Sequence, residues 1–449
     1  MTVTNNLLRW LELILCERYG VRLSLQLHQD RWVMTVPNHV GCIEVMRTLT
    51  SFGAVARDIP CAHWNVSGSG FQAPIADTLP APGAVRLPEP LVSEIDTGFR
   101  IGYDFLAFAA WMMNRREEIG AEELDEHGRF PAVASHAYRH GYLQRPVVDE
   151  WLHILCQVMK RLWPSLELKR SEFIVSVSHD VDQPSPIGFS SYPRVLRSML
   201  GQLVKKKSLV GAMRLPIIKL NTGRQLYEGD PYNNFDWIMD VSERQGLRSA
   251  FYFICGRTNV ARDALYDVEH PAIRALIRRI HARGHEVGLH PSYETYLTPG
   301  AIAREFKALR KVCEEEGVRQ VNWGGRMHYL RWSHPTTLRE WSRAGLDYDS
   351  TLGYADLPGF RCGTCHDYPA YDLEQDEQLD LRIRPLVVME CTITAGRYMG
   401  LGKGGAALAK IFEIKNACKA VGGRFELLWH NSELLMDEDR SLFVRALEH

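Results

Sequence analysis

The second half of the chain repeatedly places a short apolar run after a charged segment with helical spacing. Such runs are FIVSVS at 173–178, SAFYFICG at 249–256, HEVGLH at 285–290, LVVMECTI at 386–393 and RFELLWH at 424–430. Runs of this kind predict buried strands, and their alternation with helices is typical of parallel β/α units. Because strand ends carry the chemistry in barrels built from such units, the sequence predicts an α/β fold with a functional site at the carboxyl ends of its strands.

The first part of the chain has a different pattern. A strand-like run covers 32–38, and segments that begin at Asp104 and Val147 carry apolar residues at helical spacing. A chain of 449 residues exceeds what one hydrophobic core usually organises. We therefore predict a smaller α/β domain over 1–168 and a β/α barrel over 169–449.

The overall composition excludes several classes of protein. Lysine plus arginine (53) balances aspartate plus glutamate (54), which provides no electrostatic footprint for nucleic acid. Charged residues interrupt the N-terminal apolar stretch, and the longest apolar run, 106–113, is far shorter than the roughly 18 residues that span a bilayer. The 10 cysteines lack the spacing of a disulfide framework. These features predict a cytoplasmic location.

One segment, 183–227, has a strong local charge asymmetry. It contains no acidic residue, and its basic residues are Arg194, Arg197, Lys205, Lys206, Lys207, Arg214, Lys219 and Arg224. Apolar residues are interleaved with these cations, as in a basic amphipathic insertion that contacts anionic lipid or a phosphate group. A solvated basic face over a small apolar cluster is the alternative.

Two carboxylates follow the first predicted strand of the second half. Asp180 and Asp182 are two residues apart, so continued strand geometry directs both side chains to the same side. One would be stabilised as an anion by a cation, and the other could act as a base. In the alternative interpretation one caps the following turn and the other is solvated.

Histidines occur at the ends of two other predicted strands. His285 and His290 flank the run at 285–290, and Glu294 follows four residues later, a spacing that places two ligands on one helical face. Histidine with carboxylates suits zinc or another divalent transition ion. His430 ends the last run and could donate a proton to a leaving amine. Each histidine could instead be structural.

Four motifs together resemble the NodB-homology polysaccharide deacetylases, which are related to carbohydrate esterase family 4. They are SHDVDQP at 178–184, GHEVGLHPSYE at 284–294, GGRMHYL at 324–330 and ELLWHNS at 426–432. GLDYDSTLGYAD at 345–356 is similar to a stretch in a surface-polysaccharide biosynthesis branch of that family. The segment before residue 169 is similar to the accessory domain that precedes such catalytic domains.

The resemblance covers about 170–449 and implies a deformed (β/α)7 TIM-like barrel. It implies that Asp180 is the catalytic base, that Arg326 lies beside it, and that His430 is the general acid. It also implies a divalent metal, zinc in particular, bound by Asp182 and His290.

The third metal ligand is where the chain departs from the family, whose motif is usually His-x-x-x-His. Glu294 occupies the last position of that motif here and can supply an oxygen ligand. We predict Glu294 as the third ligand, with His285 and His328 as alternatives.

The function implied is metal-dependent removal of an N-acetyl group from an amino sugar in a nucleotide-linked or lipid-linked precursor of a surface glycan. The basic insertion 183–227 favours the lipid-linked form and peripheral contact with anionic membrane at its inner face. The alternatives are a barrel that binds such a sugar without hydrolysis, and an enzyme for another amide or an ester.

Overall fold

The computed structural model describes residues 3–47 and 58–448. The elements before residue 168 are α1 (Asn5–Tyr19), β1 (Ser24–His28), β2 (Arg31–Thr35), β3 (Cys42–Met46), β4 (Cys61–Asn65), β5 (Thr78–Pro82), β6 (Val92–Ile95), β7 (Gly98–Ile101), α2 (Phe105–Met113), α3 (His136–Arg139) and α4 (Val147–Leu162). The elements after it are β8 (Ile174–Val181), α5 (Tyr192–Val204), α6 (Leu209–Asn221), α7 (Phe235–Arg244), β9 (Ala250–Phe253), α8 (Pro271–Ala282), β10 (Glu286–Leu289), α9 (Ala301–Glu315), β11 (Gly324–Gly325), α10 (Thr336–Arg343), β12 (Tyr348–Asp349), β13 (Tyr368–Asp372), β14 (Glu377–Ile383), β15 (Val388–Met389), α11 (Glu390–Thr394), α12 (Gly405–Ala420), β16 (Arg424–Leu428) and α13 (Asp437–Leu447). Short 3₁₀ helices lie at Arg116–Glu118, Ala132–Ala134, Thr295–Leu297, His328–Leu330 and Asn431–Glu433.

The N-terminal strands form mostly antiparallel pairs. Among the described residues, β1, β2, β3, β7 and β6 make a 5-stranded sheet in that order, and β4 pairs with β5. Strand β2 alternates in burial, with Trp32 and Met34 turned inward. This period-2 pattern is what a sheet packed on one face requires, and α1 and α4 cover the sheet's inner side.

The C-terminal strands form a mainly parallel sheet. In the described part of the chain its order is β13-β14-β12-β11-β10-β9-β8-β16-β15, and every neighbouring pair is parallel except β13 with β14. All residues of β9 are buried, as expected for a strand covered on both faces. The prediction of an α/β fold with parallel strands is confirmed. These pairs do not close a ring, so the (β/α)7 barrel stays a prediction.

The predicted strands agree with the structure except in one segment. Over 386–393 only Val388–Met389 is a strand, and a short helix begins at Glu390. The prediction of a strand through this whole run was wrong, because apolar composition alone does not distinguish a buried strand from a buried helical turn. No helix within the described residues is long and apolar enough to cross a membrane.

The two parts of the chain share a continuous hydrophobic core. The Trp10 indole of α1 donates to the Pro369 carbonyl of β13 (2.8 Å), and the Tyr368 hydroxyl donates to the Met113 carbonyl (2.7 Å). Buried side chains of both parts belong to the same cluster. The first part is therefore packed against the parallel sheet rather than tethered to it.

A buried ion-pair network also joins the two parts. Glu118 accepts hydrogen bonds from Arg361 (2.6 and 2.8 Å) and from Arg115 (2.8 Å). The Glu118 side chain is 6% exposed and each arginine side chain 1%. Burial would raise the pKa of Glu118, but the two guanidinium groups lower it from an ordinary 4.5 to about 2.

We expect Glu118→Gln to lower the free energy of unfolding by about 3 to 5 kcal/mol, because it leaves buried Arg361 without its carboxylate partner and Arg115 with Glu117 alone. The folded-state pKa lies below the unfolded value, so this stabilisation is full above pH 4.5 and is lost as the pH falls towards 2. Urea unfolding from neutral to acid pH measures both effects. Glu123→Gln, an exposed control, should change the free energy by less than about 0.5 kcal/mol.

Candidate active site

Five predicted site residues meet at the carboxyl ends of the parallel strands. Asp180 is the penultimate residue of β8, and Asp182 directly follows that strand. His290 follows β10, Arg326 follows β11, and His430 lies two residues beyond β16. All except Arg326 line one pocket of about 400 Å³, and Arg326 lies behind Asp180. Parallel strands bring these sequence-distant positions together because their carboxyl ends share one edge of the sheet.

Three side chains at the base of this pocket could hold a metal ion. The potential ligand atoms of Asp182, His290 and His328 all lie within 4.8 Å of one another. Asp182 Oδ1 is 3.3 Å from His290 Nε2 and 3.6 Å from His328 Nδ1, and the two ring nitrogens are 3.0 Å apart. One carboxylate and two imidazoles are a donor set that zinc accepts.

Backbone carbonyls fix the orientation of both imidazoles. His290 Nδ1 lies 2.6 Å from the Arg326 carbonyl, and His328 Nε2 lies 3.0 Å from the Arg262 carbonyl. A carbonyl only accepts, so these ring nitrogens carry protons, and in the neutral form of each imidazole the facing nitrogen presents a lone pair. Asp182 Oδ1 is buried and receives no hydrogen bond within the described structure. Converging lone pairs with this outer support fit a bound cation.

The pKa values of Asp182, His290 and His328 are each shifted by burial and by one another. Burial opposes ionisation of Asp182, but the His328 and His290 imidazoles outweigh it and hold the pKa of that carboxyl well below its ordinary value. Burial lowers the pKa of His328, whereas the Asp180 and Asp182 carboxylates raise the pKa of His290 despite its burial. Asp182 is thereby ionised and His328 neutral, which are the forms that bind metal, and a metal at His290 would replace the proton that the carboxylates stabilise there.

The structure does not bring Glu294 into this group. Its half-exposed carboxylate accepts from Arg331 (2.9 Å) and Asn259 (3.4 Å). The four-residue spacing from His290 predicted a shared helical face, but 290–294 is not helical and Pro291 follows His290 directly. His328, one of the two alternatives, lies beside Asp182 and His290 instead.

The other alternative, His285, lies at the opposite end of β10. Its Nδ1 accepts from the Ser249 backbone (3.1 Å), and its Nε2 is 3.2 Å from Glu243. His285 therefore lies away from the pocket, and its contacts are structural.

Arg326 orients Asp180. Its Nη1 donates to Asp180 Oδ1 (2.9 Å), while Nε donates to the Ser350 carbonyl (2.9 Å) and Nη2 to the Ser178 hydroxyl (2.8 Å). The arginine is fully buried, so it cannot itself reach a substrate from solvent. Asp180 Oδ2 remains on the pocket side, 3.6 Å from His290 Nε2.

His430 is held by a carboxylate that our sequence analysis did not identify. Glu390, buried at the start of α11, accepts from His430 Nδ1 (2.6 Å) and from its backbone N–H (3.0 Å). Burial opposes protonation of His430, but Glu390 raises the pKa of the imidazole well above its ordinary value. Nε2 is thereby turned to the pocket, 3.8 Å from Asp182 Oδ2. An acidic residue inside an apolar run was the available signal for Glu390.

The pocket mouth is basic and aromatic. Three exposed arginines line it from separate elements: Arg194 from α5, Arg262 after β9 and Arg397 after α11. Arg129 reaches the wall from the N-terminal part and donates to the Tyr329 carbonyl (2.9 Å). The carboxylates thus lie at the base of the pocket and the cations at its rim.

Comparisons with known proteins match the two parts of the chain differently. The model of a family of unknown function, DUF7033, matches residues 4–164. No curated protein matches the sequence. The chain is therefore not assigned to a characterised family by its sequence.

Among solved structures, the chain is similar to one described as a polysaccharide deacetylase from Mycobacterium smegmatis, at 16% identity and a TM-score of 0.40, over 62% of this chain and 83% of that chain. A second, described as a probable polysaccharide deacetylase from Pseudomonas aeruginosa PAO1, has 15% identity and a TM-score of 0.35, over 62% of this chain and 84% of that chain. A third, PuuE allantoinase, has 13% identity and a TM-score of 0.35, over 61% of this chain and 83% of that chain. Likenesses this weak leave the function to be inferred from the site itself.

We expect the protein, purified without chelator, to contain about one equivalent of divalent metal by elemental analysis. Asp182→Ala, His290→Ala and His328→Ala should each lose it, because each removes one of three converging ligands. Glu294→Gln should retain it. Loss of metal in Glu294→Gln but not in His328→Ala would restore the ligand set predicted from sequence.

Proposed function

We propose that this protein is a metal-dependent hydrolase that removes the N-acetyl group from an amino sugar in a surface-glycan precursor. The observation that carries the proposal is the arrangement of the pocket. A potential metal group, Asp182, His290 and His328, lies between an oriented carboxylate, Asp180, and a carboxylate-held imidazole, His430. Amide hydrolysis needs a base on one side of the carbonyl and an acid on the other.

Asp182, His290 and His328 would hold the divalent ion, zinc by their donor chemistry, and such an ion supplies Lewis-acid polarisation of a carbonyl and of water. Asp180 takes a proton from the attacking water through the oxygen that Arg326 leaves free. His430 Nε2 gives its proton to the amine nitrogen as the C–N bond breaks. Acetate and the free amino sugar result, and Glu390 keeps His430 protonated until that step.

We expect Asp180→Asn to lower kcat for acetate release by about 100- to 10,000-fold, because an amide cannot accept the proton from water. The amide oxygen still accepts from Arg326, so bound metal should remain. The exposed Asp77→Asn is the matched control and should keep full activity. The assay measures acetate from N-acetylated nucleotide-linked and lipid-linked sugars.

Acetate release by Asp180→Asn at the control rate would contradict the role of the base. Binding of these sugars with no turnover by the metal-loaded wild type would favour the alternative of a barrel that binds without hydrolysis.

We propose that the substrate is nucleotide-linked or lipid-linked, and so carries a diphosphate. Support comes from the pocket mouth, where Arg194, Arg262 and Arg397 are exposed. Within the described residues none of the three forms an ion pair with a carboxylate, and Arg262 and Arg397 lie over tyrosine rings. Guanidinium groups free of carboxylate partners suit phosphate oxygens.

We expect Arg262→Gln and Arg397→Gln each to raise KM for a diphosphate-linked N-acetylated sugar by about 10- to 100-fold, since each removes charge-assisted hydrogen bonds. KM for an uncharged N-acetylated methyl glycoside should change less than about twofold. Arg319→Gln, an exposed arginine outside the pocket, serves as the control. Equal effects on both substrates would contradict diphosphate recognition at the rim.

We also propose that residues 1–168 form an accessory domain, that 169–449 form the catalytic β/α barrel, and that the enzyme acts in the cytoplasm in surface-polysaccharide biosynthesis. The separate sheets before and after residue 168 support the division. The 10 cysteines are all free thiols, which is typical of a reducing compartment. Arg129 and its contact with the Tyr329 carbonyl support a part for the accessory domain in shaping the pocket wall.

A further inference from the structure

Helix α5 exposes an apolar stripe along its outer face. Tyr192, Leu196, Leu200 and Val204 are spaced by four residues and are 55% to 74% exposed, whereas only Val195 of this helix is buried. A four-residue spacing places side chains on one face of a helix. A surface helix normally turns such a stripe towards the core, and an exposed apolar stripe indicates an interaction surface.

Helix α6 continues the same surface. Val210, Met213, Ile217 and Leu220 are 45% to 81% exposed, while Ala212, Leu215 and Ile218 turn inward. The helix therefore has one apolar face for the protein and a second for its surroundings. Because α5 and α6 pack together, their exposed stripes belong to one hairpin.

The hairpin is also strongly cationic. Lys205, Lys206 and Lys207 form its exposed tip, and 183–227 contains no acidic residue. In the described part of the chain, no ion pair joins any of the eight basic residues of 183–227, seven of which lie in the hairpin, to a carboxylate. Unpaired cations beside an exposed apolar stripe match a surface that is anionic outside and apolar beneath, as a bilayer of anionic lipid is.

We propose that the α5–α6 hairpin docks on the surface of an anionic lipid bilayer. The apolar stripes enter the boundary between headgroups and acyl chains, and the lysines of the tip contact the lipid phosphates. A second copy of this chain fits the surface less well, because a self-complementary contact would bring two sets of seven like charges together.

The docking surface is continuous with the pocket. Pro186, Phe189 and Arg194, which lead into or lie on α5, line the pocket wall. An almost wholly apolar groove of about 500 Å³ lies between the start of α5 and the end of α6, lined in part by Leu196 and Leu220. A docked hairpin therefore presents the pocket to a sugar whose lipid anchor lies in the same bilayer. The docking stands by itself, and the lipid-linked substrate rests on the proposed function.

The test is co-flotation of the full chain with vesicles of phosphatidylcholine and phosphatidylglycerol in equal parts. We expect binding that weakens with salt and is nearly absent with phosphatidylcholine alone. K205Q/K206Q/K207Q should lower the partition coefficient about 100-fold, since three cations are removed from the anionic surface. L200S/V210S should also weaken binding, with the same thermal unfolding as the wild type.

Two matched variants control for total charge and total apolar exposure. K160Q/K307Q/K419Q removes three exposed lysines outside the hairpin, and V40S/V321S removes two valines that are 94% and 91% exposed elsewhere. Both should bind vesicles as the wild type does. Equal loss in these controls, equal binding to neutral vesicles, or a dimer in light scattering that L200S/V210S dissociates would overturn the proposal.

The outcome is separable from that of the proposed hydrolysis. Asp182→Ala, which removes a potential metal ligand, should float with anionic vesicles like the wild type. K205Q/K206Q/K207Q should lose acetate release from a vesicle-embedded diphosphate-linked sugar and retain it with a nucleotide-linked one. Flotation without any acetate release would leave the docking intact and contradict the hydrolase, whereas acetate release without flotation would do the reverse.

Discussion

The fully buried guanidinium of Arg326 requires partners on every side, and these partners come from separate strands. Ser178 and Asp180 belong to β8, Ser350 follows β12, and Glu426 of β16 lies 3.6 Å away. A buried cation without such partners would cost several kcal/mol, so the ends of these strands must be arranged around it. Arg326, which the sequence resemblance places beside the base, therefore also connects strands that are distant in the chain.

The same residue orients the neighbouring imidazole through its backbone. The Arg326 carbonyl accepts from His290, and the Arg262 carbonyl accepts from His328. The Arg326 carbonyl directly follows β11, so the orientation of the His290 ring follows from the sheet, whereas the Arg262 carbonyl and His328 lie in the loops after β9 and β11. The facing nitrogens and Asp182 then form a site that attracts a cation before any ion is bound.

A formal net charge of −1 conceals a marked internal separation of charge. Carboxylates lie at the base of the pocket, arginines at its mouth, and the α5–α6 hairpin adds seven cations without an acidic residue. This order agrees with the substrate proposed above, which has a neutral acetamido group at one end and a phosphate-bearing carrier at the other. Overall composition could not reveal it, because opposite local charges cancel in the total.

The sequence by itself determined the parallel strands, most helices, and the placement of Asp180, Asp182 and the strand-end histidines, because burial pattern and strand termini are local properties. Tertiary structure decided what depends on loops. The pairing of Glu390 with His430 joins positions that are 40 residues apart, and no local pattern encodes it. His328 joins Asp182 and His290 because the turn after β11, with positive φ at Tyr329 and Leu330, carries its imidazole to the strand ends. Glu294 does not join them, because the chain beyond His290 does not form the helical turn that its spacing suggests.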